Sequence, residues 1–299
     1  MKHSYALTYL LLLFFALAQI IGLGLISIDL DVGVSDAGEI VLTHPDTAIG
    51  ERPELEPDQS VFTIILAVII GTALVFLLMK YKQFKIWRFW FFLSIFLTLN
   101  IAFNVVLSST VAFVLALFLA LWRGFKPNIY VHNFTELFVY AGIALIFVPI
   151  LNVKWVIILM IIIALYDAYA VWQSGHMIKL AEFQTGNKTF AGLYFGSKEM
   201  PSLAKKKSKK KSSKSVKKTH AILGGGDVAF PLLFSGVVME SLLLEGVSKW
   251  SAFSQSLWIT LGSVGALAYL FFRGTSAQYY PAIPFLLVGC LLGYALVLL

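Results

Sequence analysis

Asp167, in IIALYDAYAVW, and Asp227, in LGGGDVAFPLLF, are carboxylates set inside long apolar stretches. A carboxylate at membrane depth costs roughly 3 kcal/mol on insertion scales, so residues of this kind mark function. Two of them on consecutive apolar segments make a candidate pair. Carboxyls that share one proton supply a general base and a general acid together. The chemistry this points to is activation of water against a polar bond, provided both segments are helices that bring the carboxyls level.

Composition supplies the setting. Of 299 residues, 59% are apolar and 13% charged, and the mean hydropathy is +0.84. A soluble domain carries about 25% charge, so this chain is a membrane protein without a sizeable soluble domain. The single cysteine, Cys290, lies in an apolar run and excludes an intrachain disulfide. The net charge of +7 is local, because nine lysines fall between Lys205 and Lys218. The remainder of the chain is slightly acidic, which argues against a nucleic-acid-binding surface.

A spanning helix needs about 20 apolar residues. Runs of that character occupy roughly 5–28, 60–80, 86–104, 106–122, 132–151, 153–173, 221–244, 251–272 and 281–299. The expected fold is therefore all-α and polytopic, with nine transmembrane helices. Eight would result if the third and fourth runs merged or the first were removed. Lys2, His3 and Ala16-Leu17-Ala18 resemble a signal peptide with its small-residue cleavage site. Apolar character nevertheless continues to Ile28, so the first run reads as a retained helix. The organisation is 1–173 with six helices, 174–220 as a Lys-rich flexible loop and 221–299 with three helices, acting as one functional domain.

Positive charge orients the bundle. With the N-terminus inside and the C-terminus outside, inner segments hold 20 Lys and Arg while outer segments hold Arg52, Lys154 and Lys249. The 29–59 segment, with nine acidic residues, falls outside. The sixth run then descends to an inner end near Gln173 and the seventh rises from near Ala221. Each aspartate sits about six residues from that surface, ~9 Å at 1.5 Å per residue. Gly224, Gly225 and Gly226 clear side chains from the approach to Asp227, letting other backbone come close.

Tyr166-Asp167, Gly224-Gly225-Gly226-Asp227 and Pro281-Ala282-Ile283, on the sixth, seventh and ninth runs, resemble the YD, GxGD and PAL signatures of presenilin and signal peptide peptidase. These are intramembrane aspartyl proteases. Each signature is short; their order and spacing across the chain make the resemblance specific. It implies that Asp167 and Asp227 are the catalytic pair, that Gly224 and Gly226 flank the second aspartate, and that Pro281, Ala282 and Ile283 shape the site mouth. Ile283 departs from the leucine of the third signature while keeping its volume and polarity. The orientation resembles presenilin, and the short chain with its lysine-rich loop is similar to archaeal members. The resemblance further implies membrane-spanning protein substrates within the lipid bilayer and no metal or organic cofactor; it leaves oligomeric assembly open.

Other features carry plainer expectations. The lysine run reads as a loop held at an anionic leaflet. TFAGLYF, from Thr189 to Phe195, reads as an interfacial segment or, following the resemblance, a β-prone strip able to pair with unwound substrate. Glu136 is expected to face headgroups or a polar neighbour, Glu240 to snorkel outward, and Asn100 and Asn104 to bond between helices. The five histidines show no metal-ligand spacing. Two rival functions use intramembrane carboxylates. A proton- or cation-coupled transporter would show internal repeats, and none is found. A prepilin- or preflagellin-type peptidase shares the GxGD aspartate but not the ninth-run proline motif.

Overall fold

The computed structural model describes residues 5–48, 50–52, 55–126, 128–174, 184, 189–196, 221–274 and 280–299. Among these residues are nine α-helices: α1 (Tyr5–Asp29), α2 (Pro57–Lys80), α3 (Phe84–Asn104), α4 (Ser109–Phe125), α5 (Ile129–Phe147), α6 (Val153–Tyr169), α7 (Gly225–Leu244), α8 (Lys249–Arg273) and α9 (Ile283–Val297). Seven are long and apolar enough to cross a membrane; α4 and α9 are shorter apolar helices. The expected third and fourth runs are separate, with Ser108 in extended conformation at the start of α4. The lysine run 205–218 lies outside the described residues.

The expected seventh run needs correction. Ala221–Gly224 is not helical but forms strand β4, paired antiparallel with β3 (Gly192–Phe195). A second hairpin, β1 (Asp31–Val34) with β2 (Ile40–Thr43), follows α1. Within TFAGLYF, Gly192–Phe195 is thus a buried strand.

Helix α7 is the hub of the bundle, packing on α1, α5, α6, α8 and α9. It is accordingly apolar nearly all round, the pattern of a buried helix. Gln19 of α1 donates to the Val228 carbonyl at 2.8 Å in this core, which gives its amide nitrogen an acceptor that lipid could not supply. Helices α8 and α9 pack backbone to backbone. A Cβ on Gly262 would lie 2.1 Å from the Gly289 carbonyl oxygen, so only glycine fits that crossing. In contrast, α2 exposes Phe62, Ile69, Ile70 and Leu77, a face whose solvent is lipid.

Candidate active site

Asp167 lies in the last turn of α6, third from its end, and Asp227 is the third residue of α7. Each aspartate therefore sits within one turn of a helix end, and α6 packs on α7. Asp227 is closer to its helix end than the expected six residues, because Ala221–Gly224 is strand. Helical rotation points Asp167 inward with Ile163 and Ala164, leaving it 5% exposed, while Tyr166 points away and is 49% exposed. Beyond Tyr169 the chain continues as a π turn, Ala170–Ser174, a distortion common beside functional sites.

Two backbone segments converge on the aspartates. The N–H of Ile283, first residue of α9, donates to Asp167 Oδ2 at 3.2 Å. Helix N-termini leave such N–H groups without intrahelical acceptors, so a carboxylate is a natural partner. Pro281, Ala282 and Ile283 are all buried here. At α7, a Cβ on Gly224 would come 3.2 Å from Asp227 Oδ2. A Cβ on Gly225 would come 3.3 Å from the Tyr140 ring, whereas one on Gly226 would meet only the Phe230 ring at an ordinary 3.7 Å. Of the three glycines, Gly226 alone is exposed.

Strand β3, the partner of the strand that leads into Asp227, is held with the residues before it by a polar cluster that sequence reasoning left as isolated residues. Asn133 Nδ2 donates to the Tyr194 carbonyl at 2.8 Å, and Tyr194 N–H donates to Asn133 Oδ1 at 3.0 Å. His132 Nε2 lies 2.7 Å from the Gly192 carbonyl. Arg123 Nη2 reaches the Phe190 carbonyl at 3.2 Å and also pairs with Glu136, while its Nη1 donates to Thr135 Oγ1 at 2.9 Å. Trp87 Nε1 donates to Thr189 Oγ1 at 2.6 Å. Glu136 thus takes the polar neighbour rather than the headgroups, at 1% exposure. The available signal was the density of polar residues on α5, at 132, 133, 135 and 136.

Two other expectations are corrected. Glu240 does not snorkel: it is buried, with His44 Nε2 3.2 Å from its carboxylate. Asn100 and Asn104 do not bridge helices through their side-chain carbonyls, which have no hydrogen-bond partner among the described residues. No group of three or more His, Cys, Asp or Glu among the described residues is arranged to hold a metal ion.

Comparison with known proteins adds to this geometry. The sequence profile of the family described as signal-peptide peptidase, presenilin aspartyl protease matches residues 34–299. No curated protein matches the chain in sequence. The fold is similar to that of a presenilin family intramembrane aspartate protease solved in two crystal forms. The first has a TM-score of 0.58 at 17% identity, covering 97% of this chain and 99% of that one. The second has a TM-score of 0.57 at 18% identity, covering 96% of each.

Proposed function

The chain belongs to the signal-peptide peptidase and presenilin family of aspartyl proteases, and from that premise we propose that Asp167 and Asp227 are its catalytic dyad. The protein is an integral membrane endopeptidase whose substrates are membrane proteins in the bilayer. The observation that carries the site assignment is the junction of three helices: Asp167 ending α6, Asp227 opening α7, and the α9 N-terminus bonded to Asp167 through Ile283.

In this reading one ionised carboxyl takes a proton from a water lying between the two aspartates. The resulting hydroxide adds to the scissile carbonyl carbon. The protonated second carboxyl donates a hydrogen bond to the carbonyl oxygen and stabilises the tetrahedral intermediate. Collapse breaks the C–N bond, and the nitrogen leaves with a proton from the dyad. Two carboxyls that share one proton titrate as a pair, so apparent pKa values belong to both.

A helical substrate hides its carbonyls in internal hydrogen bonds and must unwind. Strand β4 supports a place for the unwound segment, because it runs directly into Gly225 and Asp227 and has, among the described residues, one strand neighbour, β3. An extended peptide can add to such an edge by backbone pairing. Gly224 and Gly226 keep the approach clear, and Pro281 to Ile283 form the opposite wall. The parts 1–173, 174–220 and 221–299 would then be two helical halves joined by an inner loop, with nine spans, the N-terminus inside and the C-terminus outside.

The test is cleavage of a single-span substrate by purified protein in lipid. Asp167→Asn and Asp227→Asn should each abolish cleavage in folded protein, and the double variant should be no worse than either. The rate should be bell-shaped in pH and indifferent to chelators. Full cleavage by either Asn variant would end the dyad assignment.

A further inference from the structure

Resting on the proteolytic reading above, we propose that Asn133 is a positioning residue that seals the far edge of β3, so that unwound substrate extends the sheet only along β4. A two-stranded sheet has two edges, and each is a template for another strand. Strands lie about 4.8 Å apart, so a peptide added beyond β3 would run some three spacings, roughly 14 Å, from one added beyond β4. Attack needs reacting atoms within about 3–3.5 Å. Only one edge can be productive.

The register decides which groups face each edge. β3 and β4 pair Gly192 with Gly224, Leu193 with Leu223, Tyr194 with Ile222 and Phe195 with Ala221. Gly225 N–H donates to the Ala191 carbonyl at 3.2 Å, which makes 191 and 225 a hydrogen-bonded pair. Bonded pairs alternate along an antiparallel ladder. Tyr194 and Gly192 therefore turn their backbone groups away from β4, and Ile222 and Gly224 turn theirs away from β3.

On the β3 side those groups are taken. The Asn133 amide accepts from Tyr194 N–H and donates to Tyr194 C=O, the two bonds a neighbouring strand would make. His132 takes the next outward carbonyl, that of Gly192. Asn133 and His132 are each 4% exposed, so a peptide cannot displace them from solvent. On the β4 side no strand pairs among the described residues. One edge is closed by α5, and the other leads into Asp227.

Asn133→Leu keeps the approximate volume and removes both bonds. With parent enzyme and a single-span substrate, fragments read by mass spectrometry should show one dominant cleavage position. In folded Asn133→Leu, kcat should fall about 10-fold and cleavage should spread to neighbouring bonds. Should Leu prevent folding, Asn133→Asp retains the acceptor for Tyr194 N–H and should give the same change in milder form. A scan of N-methylated substrates on the parent supplies an independent reading: one-edge addition predicts loss of cleavage at alternate residues only. A folded Asn133 variant with the parent's cleavage position and kcat, or N-methyl sensitivity at consecutive residues, overturns the assignment while leaving the dyad intact. A merely structural Asn133 would lower thermal stability without moving the cleavage position, and that result also overturns it. Absence of cleavage by the parent removes the proteolytic reading itself.

Discussion

Ile283 donates its backbone N–H to Asp167 Oδ2 at 3.2 Å, tying the start of α9 to the end of α6. The contact explains why leucine and isoleucine are interchangeable in character there: any residue except proline supplies the same N–H. What matters is that the chain enters α9 at a fixed angle, and Pro281 limits that entry by locking its own φ.

Ile283→Leu should therefore leave kcat within about two-fold, since volume-conserving apolar swaps are well tolerated. Pro281→Gly should lower kcat about 10-fold, because a loosened approach gives up much of the Ile283–Asp167 hydrogen bond, and such bonds contribute about 0.5–1.5 kcal/mol. Steady-state kinetics on both variants checks this. Equal losses in the two would show that the side chain of residue 283, not its backbone, does the work.

The three glycines should differ in a graded way. Gly224→Ala sets a methyl 3.2 Å from the Asp227 carboxylate oxygen, so the carboxyl must give by a few tenths of an ångström and kcat should fall about 10-fold, a fraction of the roughly 100-fold that a 1 Å misplacement can cost. Gly226→Ala meets only ordinary contact with Phe230 and should leave thermal stability unchanged. Any effect there should fall on KM, through substrate entering over an exposed residue. Matching kcat losses for both substitutions, with KM unaltered, would contradict the geometry.

The helices were legible in sequence because a lipid solvent demands continuous apolar runs, and the two aspartates because they interrupt such runs. Strand β4 was not legible. Ala221-Ile222-Leu223 continues directly into the apolar α7, and a short apolar run has no period that separates strand from helix. Its partner β3 lies far away in sequence, beyond the lysine run, so pairing had no local signature. The partners of Asn133 and Glu136 escaped for a related reason: they are the Tyr194 backbone groups and an arginine on other elements. Glu240 looked like a snorkelling acid only until His44, from a different segment, was brought beside it.

The charge asymmetry also makes a topological prediction. Single cysteines in 29–59, on a Cys290→Ser background, should react with impermeant thiol reagents from outside intact cells. A cysteine replacing Lys209 should react only after the inner face is opened. The structure sets β1–β2 at the end of the bundle away from Asp227, where Lys249 donates to the Ser27 carbonyl at 3.3 Å. The reverse labelling pattern would invert the orientation and with it the polarity of accepted substrates.

The same end carries a pH-sensitive clasp. His44 lies 3.5 Å from Asp29 and 3.2 Å from Glu240, and Arg52 pairs with Asp29 at 2.6 Å. Burial alone would pull the His44 pKa down, but the Asp29 and Glu240 carboxylates outweigh both burial and the opposing Arg52 charge, holding it at about 9. A folded-state pKa above the unfolded value near 6.5 means that the charged histidine stabilises the fold. The contribution is complete below pH 6.5, declines above it, and is gone once pH has risen through 9. The thermal midpoint of the parent should therefore fall by a few degrees across that window. His44→Gln should be less stable than the parent at pH 6 and should converge with it near pH 10, because Asp29 and Arg52 remain paired in both. Parallel stability curves for parent and variant from pH 6 to 10 would mean that His44 carries no proton-linked stabilisation, and that the β1–β2 hairpin is held to α7 by other contacts.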